Sequence, residues 1–271
     1  MTANLLTLNF SKTEFLLIGL KKQLDKIHNS SLNTTHSARN LGFIFDEHLT
    51  FSDQISAISK ACYYHIRHLR CIRPYLDSTT TCTIATSIVH CKLDYCNSVY
   101  NNLPKFHITR LQLIQNSLAR AVVKVPKSCY ITPILHSLHW LKITERIDYR
   151  LLSLTYKVLT TTQPAYLHNL ISVQPPPRNT RSSYHVTLAR PPTSSSLLIT
   201  DRSFRYASRC LWNQLPNSLR QPHSSPSVTD FPAHVPATSS YSLNLPHSPS
   251  IIPSLFHSRL KTYLFHKSFP P

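Results

Sequence analysis

From Phe51 to Val158 apolar residues recur at three- and four-residue steps. That spacing lines them up along one side of an α-helix, and a strand with its period of two does not accommodate it. Ile55, Ile58, Cys62, Ile66, Leu69 and Ile72 form the first run, which Pro74 stops. A second helix is predicted from about Ser78 to Tyr100, with Ile84, Ile88, Cys91 and Tyr95 on its stripe. A third carries Ile108, Leu111, Ile114, Leu118 and Val122, with Pro126 just past its end. Thr132-Pro133 has the form of an N-cap followed by proline at the first helical position, opening a short helix through Leu138. Ile143, Ile147, Leu151, Leu154 and Val158 mark a longer helix, and Pro164 starts a short one ending near Ile171. Five or six helices at this spacing describe an all-α bundle.

The flanks read differently. Residues 1–50 hold two apolar runs, Glu14 to Gly19 and Leu41 to Phe45, separated by polar Lys26 to Asn40. Two or three strands are expected there, the polar stretch serving as a hairpin connection or a further strand. Sixteen of the twenty prolines lie at or beyond Pro164, and Ser, Pro, His and Thr dominate 221–254, a composition that buries little apolar surface. The expected organisation is mainly α. A short β segment over 1–50 precedes a helical domain over 51–173 and a largely disordered Pro/Ser-rich tail over 174–271, with short helices near 201–215, around Trp212, and 253–265.

Composition narrows the function. Gly19 and Gly42 are the only glycines, so no glycine-cradled phosphate loop is encoded. Lys and Arg outnumber Asp and Glu by 29 to 11, a net charge of +18. Such a chain is drawn to acidic surfaces, and nucleic acid is the partner this implies. A membrane partner is not expected, because no apolar run reaches membrane-spanning length. The seven cysteines never form Cys-x-x-Cys, which predicts reduced thiols rather than a zinc ribbon or redox pair. MTANLLTLNFSKTEF lacks the basic-then-apolar pattern of a signal peptide, so a cytoplasmic or nuclear, non-secreted setting is expected.

Seven strings stand in order along the chain: Leu8-Asn9 with Lys12-Thr13-Glu14, Asn40-Leu41-Gly42, Leu93-Asp94-Tyr95-Cys96-Asn97-Ser98, Leu111-Gln112-Leu113-Ile114-Gln115-Asn116, Ser137-Leu138-His139-Trp140-Leu141, Leu211-Trp212-Asn213-Gln214-Leu215-Pro216 and Arg259-Leu260-Lys261-Thr262-Tyr263-Leu264-Phe265. Together they resemble the C-terminal part of LINE-type (non-LTR) retrotransposon reverse transcriptases, of the jockey-like and chicken-repeat-like groups: the end of the palm, the thumb and the tail. In that family two metal-binding aspartates occupy a Tyr/Phe-x-Asp-Asp box upstream of the Lys-Thr-Glu string, and Met1 falls after it. The resemblance therefore implies a chain without a polymerase metal site or a cofactor of its own, magnesium being expected only for a full-length polymerase. Alone, it is expected to give no primer extension with magnesium or manganese.

By the same resemblance Lys12 would donate a proton to the leaving pyrophosphate, and Leu41 and Gly42 would be primer-grip-like, their tight backbone helping to hold the primer end near the active site. Helices from Ile55 to Val122 would be the thumb, holding RNA and DNA template–primer nonspecifically and in a salt-dependent way, beside the palm and fingers of the same element. Residues 54–140 carry ten basic residues against two acids: Lys60, Arg67, Arg70, Arg73, Lys92, Lys105, Arg110, Arg120, Lys124 and Lys127 are the candidate phosphate contacts. The alternative is a degenerate retroelement remnant with no selected activity.

Other constellations point to packing. His65-x-x-His68 and His136-x-x-His139 share the spacing of helical metal ligands but have no completing carboxylate or cysteine pair nearby, so no metal site is expected. Tyr63, Tyr64, Tyr75 and Tyr95 interleave with basic residues in the manner of base-stacking platforms, but on helices of this period they are expected in the core. Trp140, between two helical segments, is expected to be buried where they meet.

Overall fold

The fold is a computed structural model, described over residues 9, 13–19, 34–174, 185–191, 198–220 and 253–270. Lys12, the Leu8 end of its string and the stretch 221–252 lie outside the described residues. The chain is mainly α with one short N-terminal hairpin. It divides into two compact units, Met1–Leu138 and His139–Pro271. That division falls inside the span 51–173 expected as one helical domain. The hairpin belongs with the first helices because its aromatic residues pack on them, and the longest helix of the second half gathers the C-terminal segments around itself.

In the first unit, β1 (Ser37–Asn40) pairs antiparallel with β2 (Phe43–Asp46), Asn40 opposite Phe43. The two-residue loop between them is Leu41-Gly42, with φ of 47° and 83°, so both central residues are left-handed as a tight hairpin turn requires. The run Leu41 to Phe45 is thus half turn and half strand, and the Glu14 to Gly19 run contributes one isolated bridge, Phe15 to Thr34. Glycine suits this conformation but leucine does not, and Leu41 is 87% exposed, so no packing compensates. Replacing Leu41 with asparagine is expected to stabilise the protein by about 1 kcal/mol. Urea denaturation checks this, and a lowered or unchanged midpoint would contradict it.

Helix α1 (Ser52–Ile72) starts where the Asp46 carboxylate accepts the Thr50 and Phe51 amides, both at 2.7 Å. It buries Ile55, Ile58, Cys62, Ile66 and Leu69, the expected stripe, while Ile72 at its end is exposed. Phe43, Phe51 and Tyr100 close the core beneath the hairpin. The expected second helix is three pieces, α2 (Ser78–Ala85), a π turn (Thr86–His90) and α3 (Cys91–Asp94), followed by a 3-10 turn over Asn97–Tyr100. Its expected stripe is displaced: Ile88, Cys91 and Tyr95 are exposed and Ile84 half-buried, whereas Thr81, Ala85, Val89 and Leu93 are buried. A strict four-residue step drifts by about 40° per repeat round an α-helix, and the wider π turn absorbs that drift.

Helix α4 (Lys105–Val123) buries Leu111, Ile114, Leu118 and Val122 as expected. It runs parallel to α1: Ser52 Oγ lies 3.4 Å from His107 Nε2 at one end, and Arg73 reaches Val122 at the other. Helix α5 (Ile131–Ser137) packs on α4 and begins one residue before Thr132, which is therefore not its N-cap.

In the second unit, α6 (Ile143–Thr161) is the centrepiece, followed by α7 (Ala165–His168), α8 (Leu198–Asp201), α9 (Phe204–Asn213) and α10 (Pro253–Ser268). Helices α9 and α10 pack on α6. Leu152 and Tyr156 meet Trp212, Leu215, Phe256, Leu260 and Leu264 in one apolar cluster, with the Tyr156 and Phe256 rings stacked at 3.8 Å. Trp140 is buried at 5% exposure, as expected from its place between helices. Among the described residues no helix is long and apolar enough to cross a membrane.

Candidate nucleic-acid interface

The stripe Ile55–Ile58–Cys62–Ile66–Leu69 fixes which side of α1 faces outward. Tyr63 and Tyr64 follow Cys62 directly and fall about 100° and 200° round the helix from it, away from the core. They are 44% and 60% exposed, and Tyr75 and Tyr95 are 88% and 43% exposed, so the expected burial of these four tyrosines is overturned. Lys60, Arg67 and Arg70 are exposed too. By helical angle Lys60, Tyr63, Tyr64, Arg67 and Arg70 share one outward face, whose cations span about 15 Å of axis.

Arg110, in the second turn of α4, donates from Nη1 to Ser56 Oγ at 3.1 Å and so places a further guanidinium one helical turn from Lys60. Lys105 is exposed at the start of α4, and Lys124 and Lys127 are exposed just past its end. Because α1 and α4 are parallel, these groups flank the first and last turns of α1. Among the described residues none of these seven exposed cations is paired with a carboxylate. Of the acids nearest in sequence, Asp53 is exposed in the first turn of α1, two turns before Lys60, whereas Asp77 caps α2 through the Thr80 amide at 2.9 Å and Asp94 accepts from Asn97 at 3.3 Å.

The other three candidates are placed differently. Arg73 is 8% exposed and donates from Nε to the Val122 carbonyl at 2.8 Å and from Nη1 to the Leu76 carbonyl at 2.6 Å. It locks the ends of α1 and α4 together and is not a phosphate contact. Nothing but its neighbour Pro74, which ends the helix and frees carbonyls to be capped, signals this in sequence. Arg120 is half-buried and donates to the Cys129 carbonyl at 3.2 Å, bracing the loop after α4. Lys92 is half-buried beside α1. Burial pushes the His65 imidazole below its ordinary value, with Lys92 and then His68 adding to the effect, so His65 is neutral at pH 7. Burial likewise pushes the Cys62 thiol up to about 11, against the opposing pull of Lys92.

Leu41 and Gly42, read as primer-grip-like, sit at the hairpin tip, where the Tyr95 hydroxyl donates to the Leu41 carbonyl at 2.5 Å. A side chain at Gly42 would meet nothing within 4 Å, so the glycine is required by its φ rather than by close approach of a neighbour. The His65/His68 pair faces an aromatic ring, with Tyr64 4.4 Å from His68 and 5.4 Å from His65. Among the described residues no three metal-ligand side chains cluster. Compared with protein-family models, curated proteins and solved structures, the chain matches none.

Proposed function

We propose that the first unit is a thumb-like element of a LINE-type reverse transcriptase that holds RNA or DNA by the backbone without reading its sequence. The observation that carries this is the outward face of α1, where three cations and two exposed tyrosines share one side of the helix and, among the described residues, none of the cations is paired with a carboxylate. A surface of that kind contacts phosphates, which position a duplex and carry no base information. The tyrosines add rings on which an unpaired base can stack. Nonspecific attachment suits a thumb, which keeps hold of whatever template–primer the palm is copying, and an upstream palm and fingers of the same element are the partners this reading requires.

The test is fluorescence anisotropy of labelled duplex and single strands of arbitrary sequence. Arg67→Gln is expected to weaken both alike. Tyr64→Ala is expected to weaken the single strand by about 1–3 kcal/mol while leaving thermal stability within about 0.5 kcal/mol, because the ring is exposed. Unchanged affinity in both variants would overturn the assignment of this face.

A further inference from the structure

Three arginines outside the surface described above line one cleft of the second unit. Its walls are the segment after α7, with Asn169 and Ser172, the segment carrying Leu188 and Arg190, and helix α9, with Arg205 and Arg209. Hydrogen bonds fix these walls to one another. Ala189 donates its amide to the Ser172 carbonyl at 2.8 Å, and the Asn213 side chain both accepts from the Leu188 amide and donates to the Leu188 carbonyl, each at 3.0 Å.

Arg205 and Arg209 are four residues apart on α9 and therefore neighbours on one helix face, an arrangement of like charges that is unfavourable unless something answers it. Among the described residues no acidic residue lines the cleft, and the side chains of Arg190, Arg205 and Arg209 have no hydrogen-bond or ion-pair partner. The Nε of Arg209 is moreover shielded from solvent with no acceptor. Guanidinium groups lining one cleft offer forked donors that match the oxygens of a phosphate, and Asn169 and Ser172, which line it too, carry neutral donors.

We infer that the Arg190–Arg205–Arg209 cleft binds one phosphate group, either a phosphodiester of a nucleic-acid strand or a free or terminal phosphate. The site is separate from the α1 face and does not depend on that reading. Equilibrium dialysis of the full chain with labelled inorganic phosphate, in low chloride, tests it. Saturable binding of one equivalent is expected, weakened at least about tenfold in Arg205→Gln and in Arg190→Gln, both exposed positions that spare the fold, and unchanged in Lys157→Gln and Lys261→Gln, exposed cations of the same unit that do not line the cleft. Displacement by a dinucleotide phosphodiester assigns the cleft to an internal strand phosphate, and displacement by a phosphomonoester alone assigns it to a free or terminal one. Absence of saturable binding, or equal binding by all four variants, would overturn the inference.

Discussion

Replacing Trp212 with alanine is expected to destabilise the second unit by about 3–5 kcal/mol, the range for emptying a buried aromatic site. The indole is fully buried, lies 6.2 Å from the Phe256 ring in the cluster that joins α9 and α10 to α6, and donates from Nε1 to the Val186 carbonyl at 2.9 Å. Alanine removes the packing and leaves that carbonyl without its donor, so two penalties add. For a unit of ordinary stability this is a large part of the folding free energy, and the melting temperature should fall by at least about 10 °C. Trp212→Phe should recover much of the packing but not the hydrogen bond, and should fall between the two. Calorimetry of the three proteins checks the order, and a Trp212→Ala melt within 2 °C of wild type, on the order of 0.5 kcal/mol, would contradict the cluster as described.

Removing four cations from the proposed interface, in the variant Lys60→Gln, Arg67→Gln, Arg70→Gln, Arg110→Gln, is expected to weaken binding to a duplex by on the order of a hundredfold or more near 0.1 M salt. Each cation that meets a phosphate releases condensed counterions, and the free energy of that release is what the variant loses. Stability should change little, since all four side chains are exposed and only Arg110 makes a side-chain hydrogen bond, to Ser56. Arg73→Gln provides the contrast, because it removes donors from the buried Val122 carbonyl and the partly buried Leu76 carbonyl and should lower stability rather than binding.

The helices α1, α4 and α6 were legible because their apolar residues keep the α-helical period with no special backbone turn inside them. A short β segment was legible too, but the place of its turn was not, because the turn lies within an apolar run and uses a leucine where asparagine or glycine would have announced a left-handed residue. The π turn is likewise invisible to a template of 3.6 residues per turn, and the buried stripe runs through Ala85 and Val89 rather than Ile84 and Ile88. At the candidate interface, charge composition selected the helix but did not separate Arg67, pointing outward, from Arg73, holding carbonyls. Tyr63 and Tyr64 were misplaced although their positions beside Cys62 already set them outside the stripe. Several strings that carry the family resemblance lie in packed positions, Trp212, Leu215, Leu260 and Leu264 in one cluster and Asn213 clasping Leu188, so they speak for the fold of the second unit more than for its chemistry.

The measurement closest to the central claim is the dependence of duplex affinity on salt, taken for the wild-type chain and for the four-cation variant. If α1 and the turns flanking it lie along the phosphate backbone with about four to six contacts, the slope of log K against log salt should be about −4 to −5, the same for unrelated sequences. The variant's slope should be shallower by about 3–4, roughly one for each phosphate contact removed. A wild-type slope near zero, or a variant that keeps the wild-type slope, would contradict the account.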